Sequence, residues 1–254
     1  MLTACALLAL YLALTLLTPR VLASRRLLID RPATLLRLWF TALTVASVSL
    51  LLALGIFIAR ALVHHGTHIP NHDIAGPLID SLLGWLSIAV IGLIAFRLGV
   101  AAHEARARYR QIGDLLAPVI SSAETTTVGE LSAWVVDSPQ PLVAALPQAR
   151  RVVITSRILN DLTPPQLAAV VAHEESHLRH HHERVLALGS LVEAVAPAFL
   201  ASNRMAQSCR IATELIADDD ASRACGTATL ASALEVAYPD APGVSDRIAR
   251  LHNR

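Results

Sequence analysis

Three long stretches without charge constrain the fold of this chain most strongly. Residues 2–18 and 38–59 carry no charged side chain, and residues 81–102 carry only Arg97, near the end of the stretch. A helix needs about 20 apolar residues to cross a bilayer, and a long arginine side chain near one end can reach the interface. Only 16% of the 254 residues are charged, against about a quarter in a typical soluble protein. The sequence therefore predicts three N-terminal transmembrane helices, of which the first and third are on the short side.

The distribution of arginine predicts how these helices are oriented, since the chain contains no lysine. Cations concentrate in the first connection and after the third stretch, whereas the second connection holds one arginine at its edge. An excess of arginine marks the cytoplasmic side of a membrane protein. We therefore expect the N-terminus outside and everything from about residue 102 in the cytoplasm. The arginines that carry this argument are Arg20, Arg25, Arg26, Arg31, Arg37, Arg60, Arg97, Arg106, Arg108 and Arg110.

The run from His173 to His177 reads His-Glu-Glu-Ser-His, which fits the pattern H-E-x-x-H. Residues four apart lie on one face of a helix, so both imidazoles can bind one zinc ion, and Glu174 lies where it can act as general base on metal-bound water. Thr163-Pro164-Pro165-Gln166 ahead of it reads as a capping box with proline in the first turn. The alternative is a solvated, His-rich helix.

A third zinc ligand is expected downstream, because catalytic zinc sites have three protein ligands and one open position. Glu214 and Asp218 lie four residues apart on a predicted helix that Asn203 can cap and Gly226 can end. Glu214 is predicted to bind zinc, and Asp218 to hold a ligating imidazole by its other ring nitrogen. For Asp218, an ordinary helix-surface acid is the alternative. Asp219 and Asp220 fall on other faces and are expected to be solvated.

The histidines after the motif are predicted to lie at the interface or the surface. His181 is eight residues beyond His173, about 12 Å along an unbroken helix, which is too far to share the metal. No glycine breaks the helix before it. His180, His181 and His182 are therefore not expected among the ligands, although they could bind stray metal.

Residues 103–254 are predicted to form one small domain that leans on the membrane. Residues 131–136 and 151–155 read as short strands, with a turn at residues 137–141 between them. Such a strand either offers an open edge to the substrate backbone or belongs to a hairpin that only supports the helix. Residues 185–202 are apolar and about long enough to span, but a full crossing would separate Glu214 from the two histidines, so we expect a helix or hairpin in the cytoplasmic leaflet. A true fourth span is the alternative.

These motifs together resemble the membrane-embedded zinc peptidases of the BlaR/MecR antirepressor family. The resemblance rests on three spans, residues 151–155, residues 166–177 and residues 214–218, and it covers nearly the whole chain. It implies a mainly α, multi-pass membrane protein in which residues 1–102 form the transmembrane region and residues 103–254 a small gluzincin-like α+β metallopeptidase domain. It also implies one zinc ion per chain, with His173, His177 and Glu214 as ligands, Glu174 as the catalytic residue and Asp218 in support. The related CAAX-prenyl-protease and heat-shock membrane peptidases share both motifs and are the nearest alternative.

The chain departs from the β-lactam-sensing members of that family. Those members carry a further span and a penicillin-binding sensor domain, whereas this sequence ends after short helical stretches at residues 229–238 and 244–251 and has no Ser-x-x-Lys motif. Direct β-lactam binding is therefore not expected. The sequence predicts a zinc endopeptidase that cleaves a protein or peptide at the cytoplasmic membrane face, with a transcriptional repressor as one candidate partner.

Two further interpretations remain open from the sequence. A membrane signalling protein with a purely structural zinc site would not need Glu174. The second connection holds His64, His65, His68, His72 and Asp73, which could sense external metal or pH, although polar loops often hold histidines without a function. Direct nucleic-acid binding has no support, since the net charge is +1 and topology accounts for the arginines.

Overall fold

The computed structural model describes residues 1–22, 24–65, 75–121, 123–128, 131–147, 149–195, 202–239 and 241–253. These residues form ten helices and four strands. The helices are α1 (Leu2–Leu22), α2 (Arg25–Asp30), α3 (Pro32–His65), α4 (Ala75–Ser121), α5 (Ser156–Asp161), α6 (Pro164–Arg179), α7 (His182–Val195), α8 (Ser202–Cys225), α9 (Thr227–Ala237) and α10 (Val244–His252). The strands are β1 (Glu124–Val128), β2 (Leu131–Val136), β3 (Val143–Leu146) and β4 (Arg151–Thr155).

The chain forms two compact units, which are described separately. The first unit comprises Met1–Arg25, Thr34–Ala105 and Gly189–Gln207. The second comprises Arg26–Ala33, Arg106–Leu188 and Ser208–Arg254.

The first unit contains three helices that are long and apolar enough to cross a membrane, within the part of the chain described. They are Leu2–Leu22, Pro32–Val63 and Ala75–Ala107, with mean hydropathies of 2.0, 2.4 and 2.1. Large apolar side chains stand exposed along them, among them Trp85 and Phe96, as expected of surfaces that face lipid. The prediction of three apolar N-terminal helices is thus confirmed.

Helices α3 and α4 approach each other closely near Gly84. A Cβ atom at Gly84 would lie 2.4 Å from the Cβ of Ala61, so only glycine fits there. One helical turn from this contact, the Arg60 guanidinium donates to both oxygens of the buried Asp80 carboxylate, at 3.1 and 2.9 Å. A paired charge is tolerated where an isolated one would be costly, and the pair fixes the register of the two helices.

The second unit contains a four-stranded sheet in the order β1-β2-β4-β3. Strands β2 and β4 have the predicted bounds, but they run parallel, so the simple hairpin interpretation was wrong. Strand β3 lies between them in sequence and pairs antiparallel with the far side of β4, while β1 pairs antiparallel with β2. β3 is therefore an edge strand of the sheet.

Helix α6 lies at the centre of the second unit, and apolar clusters pack on two of its faces. One face, with Val170 and Val171, packs against Ile154 of β4 and Ile158 of α5. The opposite face packs through Ala169 against residues of α8, α9 and α10, among them Ala221, Leu230, Leu234 and Leu251. Each fully buried large aliphatic side chain contributes roughly 1.5–3 kcal/mol. This packing holds the helix that carries the H-E-x-x-H motif.

Local sequence signals set the ends of the helices that carry the motifs. At the start of α6, the Thr163 N–H donates to Gln166 Oε1 at 2.9 Å, as the predicted capping box requires. Helix α8 ends at Cys225, and Gly226 follows with a φ of 89° that favours glycine, so the predicted stop is confirmed. Of the apolar run at residues 185–202, residues 196–201 lie outside the described residues; α7 is described as far as Val195.

Candidate metal centre

Three predicted ligands converge in the second unit. One turn of α6 separates His173 from His177, and their Nε2 atoms lie 3.2 Å apart. Glu214 of α8 places Oε2 3.4 Å from His173 Nε2 and Oε1 3.5 Å from His177 Nε2. One ligand atom from each of the three residues lies within 4.8 Å of the ligand atoms of the other two. Two imidazoles and one carboxylate form a donor set that suits zinc, so these residues could hold a metal ion.

Asp218 lies behind His173, on the side away from the other two ligands. Its carboxylate is fully buried, and Oδ1 lies 3.1 Å from His173 Nδ1, although the ring N–H does not point straight at it. This is the place from which a carboxylate orients a ligating imidazole. The alternative prediction, that Asp218 is an ordinary acid on the helix surface, is wrong because the side chain is buried.

Arg247 of α10 is a site residue that the sequence did not identify. Its guanidinium donates to both oxygens of Asp218, from Nε at 2.8 Å and from Nη2 at 2.6 Å. Its Nη1 lies 3.0 Å from Glu214 Oε2. The only signal for it in the sequence is its place on a nine-residue amphipathic helix, which does not distinguish it from any surface arginine.

Burial and these charges shift the pKa values of the site in opposite directions. Burial opposes a charge on His173, but the adjacent carboxylates of Asp218 and Glu214 outweigh it and raise the pKa of His173 to about 9. Burial and the neighbouring His173 charge lower the pKa of His177 to about 4. Burial also works against Glu214 and Asp218, yet their partners His173 and Arg247 lower the pKa of each carboxyl to about 2. Without metal, the site therefore holds one imidazolium and two carboxylates.

Glu174 lies at the wall of a cleft beside the three ligands. Its Oε2 accepts a hydrogen bond from the Ala145 N–H of β3 at 2.8 Å. Burial raises the pKa of Glu174 above the ordinary value, although the charged His173 and the Ala145 N–H oppose the shift. A carboxyl group with a raised pKa is suited to accept and return a proton near neutral pH.

The cleft measures about 290 Å³ and runs along the free edge of β3. Backbone groups of Val143 and Ala145 point to this edge: the Val143 carbonyl accepts from the Tyr238 hydroxyl at 3.2 Å, and the Ala145 N–H reaches Glu174. The apolar lining comes from β3 itself and from Pro147, Leu178 and Leu186. Such a cleft has room for a short extended peptide.

The three histidines after the motif have three different surroundings. His180 is exposed and its Nε2 lies 2.8 Å from Asp220 Oδ2. His181 is exposed and adopts a φ of 52° in the turn between α6 and α7. His182, however, is only 2% exposed, and its Nδ1 lies 2.9 Å from His177 Nδ1. The prediction of a surface position was wrong for His182, because the turn at His181 folds it back onto the motif.

Asp219 and Asp220 are not solvated as expected. Asp220 accepts from Ser176 Oγ at 2.8 Å and is also paired with Arg223. Asp219 is paired with Arg250, which donates in addition to the Ile29 carbonyl of α2. Two consecutive turns of α8 thus present four acids, Glu214, Asp218, Asp219 and Asp220, to the neighbouring helices α6 and α10.

The predicted metal or pH sensor between α3 and α4 falls mostly outside the described residues. His68, His72 and Asp73 lie outside the described residues, and of His64 and His65 only the helical backbone is described.

The part of the chain that carries both motifs matches a known protein family. The family model of peptidase family M48 matches residues 106–239, which include both motifs and exclude α10 with Arg247. The match is at the level of the family and does not distinguish the narrower antirepressor group within it. No solved structure matches the chain significantly. Because the family model covers more than half of the chain, this protein belongs to peptidase family M48, a family of metallopeptidases.

Proposed function

We propose that this protein is a zinc-dependent endopeptidase embedded in the cell membrane. The observation that carries the proposal is the convergence of His173, His177 and Glu214 on one point, with Glu174 beside them in an open cleft. A purely structural zinc site is normally closed by four protein ligands. Here three donors line a cleft, which is the arrangement of a catalytic site.

One zinc ion per chain would be held by these three residues. Zinc in such a site polarises a carbonyl group and lowers the pKa of water to about 7. Asp218 holds the Nδ1 side of His173, so that Nε2 is the nitrogen available for the metal. Arg247 neutralises Asp218 and keeps that carboxylate in place.

Glu174 would act as the general base and then as the general acid. It takes a proton from the attacking water and returns one to the leaving amine, so the peptide bond breaks with no net change in its own protonation. Burial raises its pKa, which makes the carboxylate a stronger base and favours the first transfer. The Ala145 N–H fixes the position of one carboxylate oxygen.

The substrate would be an extended segment of a protein or peptide. An extended chain would add to the outer edge of β3, which borders the cleft, through the backbone groups there that do not bond to Tyr238 or Glu174. The apolar lining at Leu178 and Leu186 favours an apolar side chain next to the cleaved bond.

We place the active site at the cytoplasmic face of the membrane. Three apolar helices support membrane association, and the arginine distribution supports an outer N-terminus. Regulatory cleavage of a repressor is the narrower function that the resemblance to antirepressor peptidases implies. Turnover of damaged membrane proteins is the function implied by the CAAX-protease and heat-shock alternative.

The proposal is tested by replacing Glu174 with glutamine in the detergent-purified full chain. The Glu174→Gln protein keeps an oxygen for the Ala145 N–H, so we expect it to fold and bind zinc. Peptidase activity on an unstructured protein such as casein should fall by at least about 100-fold. Glu175→Gln is the matched control, because Glu175 is the adjacent acid and pairs only weakly with Arg179 at 3.6 Å. Equal activity of the Glu174→Gln and wild-type proteins would refute the proposal and favour a non-catalytic, zinc-stabilised signalling protein.

A further inference from the structure

His182 contacts the second histidine of the motif at the nitrogen that does not face the other ligands. The Nε2 atom of His177 faces His173 and Glu214. Its Nδ1 atom lies 2.9 Å from His182 Nδ1, and the two rings meet edge to face at 83° with centroids 4.8 Å apart. This is the distance of a hydrogen bond between two ring nitrogens.

One requirement fixes the tautomers of both rings. A neutral imidazole has one N–H donor and one acceptor nitrogen. If His177 binds a metal through Nε2, its hydrogen must lie on Nδ1, which then donates to His182 Nδ1. His182 must in turn carry its own hydrogen on Nε2.

We propose that His182 is a positioning residue for His177, holding its ring orientation and its Nδ1–H tautomer so that Nε2 is free for the metal. The proposal rests on the zinc site of the proposed function. It gives each motif histidine its own partner: the Asp218 carboxylate for His173 and a neutral imidazole for His177.

The chain reverses sharply to make this contact. On an unbroken helix, residues five apart point about 140° away from each other, so His182 could not reach His177. Helix α6 ends at Arg179, His181 adopts a left-handed φ of 52°, and His182 begins α7. A left-handed conformation is uncommon for a residue other than glycine, although histidine is among those that tolerate it.

The surroundings of His182 hold its ring in place. The side chain is buried, and its other neighbour His180 stacks on it at 5.6 Å with an interplanar angle of 19°. His180 is fixed through Asp220, which also accepts from Ser176 of α6. A buried imidazole with a polar partner at one nitrogen is a costly choice for a core position, which indicates a role beyond packing.

The test compares zinc affinity in two variants that differ only in the acceptor. His182→Asn keeps an oxygen near the position of Nδ1, whereas His182→Leu keeps similar bulk and removes the acceptor. We expect the zinc dissociation constant, measured by competition with a chromophoric chelator, to rise 10- to 100-fold in the Leu variant and to stay close to wild type in the Asn variant. His181→Asn is the matched control, because asparagine tolerates the left-handed conformation of that exposed turn.

Three outcomes would overturn the assignment. Wild-type zinc affinity in His182→Leu would show that the contact does not support His177. Equal weakening in both variants, with equal loss of thermal stability in the zinc-free proteins, would show a packing role only. If the Leu variant fails to fold, a 10-fold or greater loss of zinc affinity in the folded Asn variant would overturn it.

The wild-type chain distinguishes failure of this assignment from failure of the proposed function. If the wild-type chain binds no stoichiometric zinc, the proposed function fails together with the role of His182. If the wild-type chain binds zinc and cleaves while the variants match it, only the role of His182 fails.

Discussion

Arg247 and Asp218 form a bidentate ion pair directly behind the first histidine of the motif. Nε and Nη2 of the guanidinium lie 2.8 and 2.6 Å from the two carboxylate oxygens, and Asp218 is fully buried. Arg247 comes from the last helix of the chain, 29 residues after Asp218. The pair therefore ties α10 to the ligand-bearing helices α6 and α8.

Breaking this pair should impair both stability and metal binding. Removing one partner of a buried ion pair costs about 3–5 kcal/mol, because the other charge is left uncompensated. We expect Arg247→Ala to unfold at a lower temperature and to bind zinc more weakly, with Arg247→Lys intermediate because an ammonium cannot pair with both oxygens. Ser245→Ala, at an exposed position of the same helix, is the control. An unchanged unfolding temperature in Arg247→Ala would mean that Asp218 finds another partner.

Zinc uptake should release about one proton per site between about pH 5 and 6, below the pKa of about 7 that zinc gives to bound water. In the metal-free protein the pKa of His173 is about 9, that of His177 about 4 and that of Glu214 about 2. Over this pH range only His173 carries a proton that the metal must displace, so zinc affinity should rise about tenfold per pH unit. Titration calorimetry in buffers of different ionisation enthalpy measures the released proton directly. Release of two protons would mean that His177 is charged as well, and release of none would mean that His173 is already neutral.

Proline substitutions should distinguish the two edges of β3. The Leu142 carbonyl accepts from the Thr155 N–H, so by alternation Ala144 faces β4 and Ala145 faces the cleft. Ala144→Pro removes a ladder hydrogen bond and should destabilise the fold by about 1–3 kcal/mol. Ala145→Pro removes only the N–H that Glu174 accepts, so the fold should persist while peptidase activity falls. If Ala145→Pro has the thermal stability and the full peptidase activity of the wild type, the Ala145 N–H does not contribute to catalysis.

Gly84 should be far less tolerant of a side chain than Gly92 of the same helix. A Cβ at Gly84 would lie 2.4 Å from Ala61 Cβ, whereas a Cβ at Gly92 meets nothing within 4 Å. Overpacking of this kind typically costs about 1–3 kcal/mol. We expect Gly84→Ala to lower the unfolding temperature in detergent and Gly92→Ala to leave it unchanged or higher. The reverse order would contradict the packing of α3 against α4.

The sequence predicts best what depends on neighbours in the chain. Uncharged runs predict the apolar helices, helical spacing places His173 and His177 on one face, and Gly226 marks the end of α8. Glu214 could be predicted as a ligand because a catalytic zinc site needs a third protein ligand, and because Asp218 follows four residues later on the same helical face. Each of these inferences uses a spacing that the local backbone fixes.

The remaining features depend on contacts between distant segments. Arg247 reaches Asp218 only because α10 packs against α6, α8 and α9, and nothing in its local sequence records this. An unbroken helix would carry His182 to the interface or the surface, but the turn at His181 reverses the direction of the chain. Strand β3 is four residues long and lies outside the predicted turn, so the parallel pairing of β2 with β4 could not be inferred from the residues between them.

The zinc content of the purified chain tests the central claim most directly. The full chain in detergent would carry His181→Asn to remove stray binding, with His180 and His182 kept because His180 stacks on His182 and His182 contacts His177. It would be compared with the same protein carrying Glu214→Ala. The account predicts one zinc per chain in the first protein and zinc that is lost or bound much more weakly in the second. Zinc retained equally in both would contradict Glu214 as a ligand, and no zinc in either would contradict a zinc peptidase.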